Sequence, residues 1–374
     1  MRKTMIELLI FINFFFGNSQ AQSEGVYQAV SEFGDNPGEL KMYQYVPANI
    51  EKKAGLVVVL HGCGMSAKGM KEGMGWNALA EKYQFLVVYG EQQRQNNKLG
   101  CFNFFVTEET TRESGEVLSI KRMVDFMKAH HPVDDNRVFV TGFSAGGAMT
   151  LALLATYPDI FNKGATIGAA MPYRAATLSN QPEGFSGKLP AKVSHLMRRH
   201  LFNSETRQYD RLVANDPVDK VTPEEWGSLV TQAYPSAKHY PTVMLIHGVD
   251  TDGKLEPYPK DYDGDKTVHQ YNLRDAVKQW TNVHDADQLA DIIEEGFAGN
   301  PRLVHKVYQS DTAKADHQTV VETLEIKGLD HFIPVDPGTE PYQGGIANKT
   351  APHYSEDVDF YAAYWIAKFF GLIK

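Results

Sequence analysis

The chain predicts an α/β fold, a mainly parallel sheet with helices on both faces. Short apolar runs alternate with helical ones along its 374 residues, as buried strands and their crossover helices do. One strand–helix junction is written out as Gly142-Phe-Ser-Ala-Gly146, the spacing of a sharp turn between the two. That rhythm is interrupted once at length, by a proline-rich stretch at residues 172–240.

The clearest strands are residues 56–61, 85–89, 138–141 and 242–247, each short, apolar and rich in β-branched or aromatic side chains. Residues 319–326 read as a further strand near the sheet's edge. Helices are expected around 76–83, 116–130, 145–157, 272–283 and 356–370, the last stopped by Gly371. Within the proline-rich stretch, 189–202 reads as helix and 180–187 as loop. The whole of 172–240 is expected to be a lid-like insertion over the site. Residues 249–265, rich in Asp, Gly and Pro, form a second insertion.

Met1-Arg-Lys followed by an apolar run at 6–16, then Ser19-Gln20-Ala21, has the pattern of a signal peptide cleaved after Ala21. Removing it leaves 353 residues (374 minus 21), expected to form a single catalytic domain over 22–374. Formal charge is −9, and the leader carries a net +1 of it in Arg2, Lys3 and Glu7. No Lys/Arg run appears, which argues against nucleic acid or an anionic membrane as partner. The expected location is secreted or periplasmic, without a membrane span after cleavage. No module is expected beyond the last helix. Cys63 and Cys101 are the only cysteines, and in an oxidising compartment they are expected to pair.

Val138, Phe139 and Val140 form the strand that leads into Ser144, and small or helix-forming residues follow as far as Tyr157. Such a turn lifts the serine hydroxyl clear of the sheet and aims a helix N-terminus at whatever it attacks. A serine needs a histidine base and an acid to orient that base, in the chain order Ser, acid, His. Of thirteen histidines, His331 has the right placement, on a loop after the last strand. His61 and His247 end strands and read as packing residues. His130, His131, His195, His200, His239 and His269 read as surface or packing residues.

For the acid, position favours Asp250 or Asp252, directly off the 242–247 strand, with Asp261, Asp263 and Asp265 competing. The run Asp261-Tyr-Asp263-Gly-Asp265 is not a calcium loop. Lys266 stands where glycine is needed and Asn272 where glutamate is needed. No metal or cofactor is expected. The oxyanion donors would be the Ala145 amide and one from His61-Gly62-Cys63-Gly64.

Taken together, Leu56-Val-Val-Val-Leu-His-Gly-Cys63, Trp76-Asn-Ala-Leu-Ala-Glu, Phe85-Leu-Val-Val-Tyr, Cys101-Phe-Asn-Phe-Phe, Val133-Asp-Asp-Asn-Arg-Val and Gly142-Phe-Ser-Ala-Gly-Gly-Ala-Met resemble the secreted esterases related to poly(3-hydroxybutyrate) depolymerases. Feruloyl and acetylxylan esterases are relatives of that family. The resemblance runs through most of the chain and implies an α/β-hydrolase fold. Asp265-Lys-Thr-Val-His-Gln-Tyr-Asn272, leading to Gln279-Trp280, is similar to the family's acid segment. It implies Asp265 as the acid, displaced from its strand by an insertion of about a dozen residues. Gly328-Leu-Asp-His331 likewise supports His331 as base.

The chain departs from the family at Phe102 and Phe104, where tryptophans are usual, and at Phe332-Ile-Pro-Val-Asp after the base. Phe102, Phe104, Phe332 and Trp76 are candidates for the acyl cleft, with core packing the default for each. The leading expectation is a serine carboxylesterase acting on small or oligomeric esters through an acyl-enzyme. Its site is Ser144, Asp265 and His331, with the Cys63 and Ala145 amides on the oxyanion. The alternatives are a polyhydroxyalkanoate or plant-cell-wall ester depolymerase and, from another class, a catalytically inactive secreted binding protein.

Overall fold

Leu56, Val58 and Leu60 alternate with Val57 and Val59 and all are buried, so this strand presents an apolar surface to both sides at once. A strand of that kind is stable only where helices cover both faces. That is the arrangement in the computed structural model, which describes residues 25–50, 53–178, 220–253, 262–310 and 318–373. Short pieces at 185–186, 189–190, 193, 197, 200–203 and 208–211 are also described. The expected leader at 1–21 and most of 179–219 lie outside the described residues.

In chain order the strands of the main sheet are β1 (Val26–Val30), β2 (Lys41–Val46), β3 (Ala54–Leu60), β4 (Leu86–Glu91) and β5 (Val133–Phe143). They continue as β6 (Lys163–Ile167), β7 (Thr242–Val249), β8 (Ile292–Glu295), β9 (Leu303–Gln309) and β10 (Thr319–Lys327). Among the described residues they form one ten-stranded sheet in the order β1-β2-β4-β3-β5-β6-β7-β10-β9-β8. The centre from β4 to β10 is parallel. Antiparallel pairs close both flanks.

One face packs Leu56, Val58 and Leu60 with Val117 and Ile120 of the Gly115–His130 helix, Leu151 of Ala145–Thr156, and Trp226 and Trp280. The other packs Val57 and Val59 with Met70, Trp76 and Leu79, and with Ile366 of the Ala362–Phe369 helix. Trp76, Trp226 and Trp280 are fully enclosed. Burying an aromatic of this size contributes about 2–3 kcal/mol each as an upper figure.

The expected elements differ from the observed ones in several places. The 319–326 strand is β10, and β9 and β8 lie beyond it, so it is interior. β6 had no strand-like pattern because Lys163-Gly-Ala-Thr-Ile167 has a single long apolar side chain. The helix expected from 356 begins at Ala362, because Ser355–Asp357 pairs in parallel with Ile333–Val335. Of the helix expected at 189–202, Val193 and Met197 are helical but both described ends are strand. Leu189–Pro190 is a two-residue strand, and His200–Asn203 pairs antiparallel with Gln208–Arg211. The lid expected over 172–240 falls partly outside the described residues, in its middle part between 179 and 219. Its described C-terminal part holds an unforeseen helix, Pro223–Ala233, opened by the reciprocal Thr222–Glu225 capping box.

Candidate active site

Ser144, Asp265 and His331 all stand on connections that follow parallel strands, at the end of the sheet where ligands bind in open α/β folds. Ser144 directly follows β5, at φ 55° and ψ −114°, a conformation that costs on the order of 1–3 kcal/mol for a residue with a side chain. The neighbouring backbone holds it there. Its N–H donates to the Ile167 carbonyl at 2.9 Å, and its carbonyl accepts from Ala170 and Ala148, both at 3.0 Å. The flanking glycines are required by contact. A Cβ on Gly142 would collide with the Gly146 carbonyl, and one on Gly146 with the Leu60 carbonyl of β3.

His331 Nε2 lies 2.8 Å from Ser144 Oγ, and His331 Nδ1 lies 2.7 Å from Asp265 Oδ2. Phe143 packs on the imidazole, ring centroids 4.8 Å apart. The second carboxylate oxygen of Asp265 accepts from the Thr267 and Val268 amides at 2.9 and 2.7 Å. Burial alone would raise the Asp265 pKa. The adjacent His331, His247 and the Val268 amide outweigh it and hold the carboxyl below its ordinary value.

Asp265 and His331 sit on separate loops, and Asp330 ties the two together. Its Oδ1 accepts from the Lys266 amide at 2.9 Å and from the His331 amide at 2.8 Å. The competing aspartates are elsewhere. Asp250 accepts from the Asp252 and Asp263 amides at 3.0 and 3.3 Å and so shapes the loop that precedes Asp265. Asp252 is exposed, and Asp261 lies outside the described residues.

His61 and His247, expected to pack, do more. His247 Nε2 donates to the Val268 carbonyl at 2.9 Å and lies 3.9 Å from Asp265 Oδ2. It thereby fastens the Asp265 loop to the end of β7. His61 is fully buried, and burial pushes its pKa down to about 4. The neutral ring donates from Nδ1 to the Gly62 carbonyl at 2.7 Å and accepts the Gln92 N–H at Nε2, at 3.0 Å. The Gln92 side chain reaches Glu116, whose carboxyl also accepts the Asn103 amide at 2.8 Å. This polar chain, with the Cys63–Cys101 disulfide, braces the 61–64 loop from behind. Nothing local in the chain pointed to Asp330 as a tie to the Asp265 loop or to Gln92, because Lys266 and His61 are 64 and 31 residues away from them.

Cys63, Gly64, Ser144 and His331 line one cavity of 630 Å³, within the size range of small-molecule sites. Of the aromatic cleft candidates Phe332 borders it, whereas Trp76, Phe102 and Phe104 are core residues. Met197, from the proline-rich stretch, also borders it, and its carbonyl accepts the His269 amide at 2.8 Å. A second cavity, of 560 Å³ beside the Tyr271–Asn282 helix, contains none of the three residues.

This sheet, with a serine on a sharp turn after its central strand, defines an α/β-hydrolase. Comparison with known proteins narrows the class. The family model "Esterase PHB depolymerase" matches residues 40–175, and that of the prolyl oligopeptidase family matches 114–257. The poly(3-hydroxyalkanoate) depolymerase C of Paucimonas lemoignei is 39% identical over 345 residues, 92% of this chain and 70% of the relative. Feruloyl esterase B of Talaromyces stipitatus is 28% identical, over 82% of this chain and 72% of the relative. The solved acetyl xylan esterase from Aspergillus awamori superposes with a TM-score of 0.61 at 23% identity, over 93% of this chain and 100% of that one. The chain belongs to the esterase PHB depolymerase family and is a serine carboxylic ester hydrolase.

Proposed function

We propose that residues 22–374 act as a single secreted catalytic domain that hydrolyses small or oligomeric esters through an acyl-enzyme, with Ser144 as nucleophile. The continuous hydrogen-bonded chain Ser144–His331–Asp265 carries this reading. His331 Nε2 takes the hydroxyl proton as Ser144 Oγ bonds to the ester carbonyl carbon. Asp265 holds the opposite ring nitrogen and favours the imidazolium that results. The carbonyl oxygen becomes an oxyanion. It is received by the Ala145 N–H, at a helix start where amides have no intrahelical partner, and by the Cys63 N–H of the braced loop. Collapse breaks the bond to the alcohol, which leaves with the proton from His331. Water, deprotonated by His331, then attacks the acyl carbon and releases acid and free Ser144.

The test is hydrolysis of p-nitrophenyl esters from acetate to palmitate by the wild type, Ser144→Ala, Asp265→Asn and Asp250→Asn. Ser144→Ala should lower kcat by about 10⁴-fold or more with the fold intact. Asp265→Asn should fall by a similar order and Asp250→Asn far less. Full activity in Asp265→Asn would move the acid to another aspartate. The similarity to a polyhydroxyalkanoate depolymerase supports a second reading, attack on a polymer, which release of acid from polymer films would separate from soluble-ester turnover. Failure of a fluorophosphonate to label Ser144 in the folded protein would favour an inactive binding protein.

A further inference from the structure

The walls of the Ser144 cavity are mainly apolar, with Leu99, Phe143, Met197 and Phe332 prominent. In such a cleft the few polar groups decide which ligand fits and how it lies. Three charged side chains border it: Arg94, Asp330 and Lys349. Two of them are engaged. Asp330 ties the His331 and Asp265 loops together through backbone amides. Lys349 Nζ is 3.0 Å from Glu356 Oε1 and lies over the Phe332 ring, 5.3 Å from its centroid.

Arg94 is different. One of its five donors, on Nη1, goes to the Lys98 carbonyl at 3.1 Å. Among the described residues no carboxylate forms an ion pair with it. A guanidinium held at one nitrogen, on the wall of an apolar cleft, keeps the planar fork that binds a carboxylate through two parallel N–H···O bonds. The chain's charge of −9 repels anions at long range, so acceptance of an acidic ligand falls to the cations at the cavity, of which the exposed Arg94 is the one without a carboxylate partner among the described residues.

Building on the esterase reading above, we propose that Arg94 selects esters bearing a free carboxylate, received by the guanidinium while the scissile carbonyl lies at Ser144. Two kinds of molecule share that chemistry. In the carboxyl end of a hydroxy-acid oligomer the charge is on the alcohol part. In a half-ester of a dicarboxylic acid it is on the acyl part.

Matched pairs separate these and test the assignment. The alcohol-side pair is 4-acetoxybenzoate and its methyl ester; the acyl-side pair is mono-p-nitrophenyl succinate and p-nitrophenyl butyrate. The quantity is the ratio of kcat/KM, charged over neutral, in wild type, Arg94→Gln and Arg94→Lys. The ratio is expected to fall at least tenfold in Arg94→Gln for one pair, to recover partly in Arg94→Lys, and to drop with added salt in the wild type alone. A ratio equal in wild type and Arg94→Gln for both pairs overturns the proposal. So does an equal fall on both members of each pair, which marks a structural role. If the folded wild type hydrolyses neither member of either pair, the esterase reading has failed. If it hydrolyses them with a ratio insensitive to Arg94, only the carboxylate site has.

Discussion

His61 shows how one side chain couples stability to the site. Its pKa falls from 6.5 to about 4 on folding because burial disfavours the imidazolium. Between those two values the unfolded chain binds a proton that the folded chain refuses. The stabilisation is therefore complete above about pH 6.5, is lost as pH falls towards 4, and changes no further below that. The window corresponds to about 3 kcal/mol. Unfolding measured between pH 7 and 4.5 should show a steeper loss for wild type than for His61→Asn. Parallel curves would mean that His61 titrates normally. Burial also depresses His131, His247 and His284, so the informative quantity is the difference between the two proteins.

The Asp265 loop depends on an anchor supplied by a neighbouring strand. In the absence of the insertion, Asp265 would be held simply by following β7. Here His247 at the end of β7 spans 21 residues to the Val268 carbonyl, and the Val268 amide in turn binds Asp265 Oδ1. Removing that anchor lets the carboxylate drift, and a displacement of about 1 Å at a catalytic group can cost on the order of 100-fold. His247→Leu should lower kcat by about 10- to 100-fold, with partial recovery in His247→Gln, which retains a side-chain N–H. Wild-type kcat in His247→Leu would reduce His247 to packing. The junctions of strand and helix were the most legible parts of the chain. Gly142 and Gly146 flank Ser144 because contacts with their immediate neighbours and with β3 forbid a Cβ, so the constraint is written locally. β6 was illegible for the opposite reason: its place in the sheet comes from β5 and β7 on either side, not from its own side chains.

Across the fold, the disulfide joins the loop after β3 to the segment after β4, closing 38 residues of chain. In the chain-entropy account such a closure contributes about 3–4 kcal/mol. Cys63→Ala/Cys101→Ala should lose about that much in denaturant unfolding, and a loss below about 1 kcal/mol would show that the bridge constrains little. Among the described residues no helix is long and apolar enough to cross a membrane. The α/β class and the sharp turn at Ser144 were legible in the chain alone, because periodicity and contacts a few residues apart set them, and composition pointed towards the cysteine pairing that the fold contains. The sequence narrowed the histidine to His331 by its place after a strand, but left several aspartates competing at the acid until a family resemblance was brought in. Only the tertiary structure brought Asp265 Oδ2 to His331 Nδ1, 66 residues away, set Asp330 between their loops and left Arg94 facing the cleft. Those choices turn on distances between chain segments remote in sequence, which no local pattern encodes.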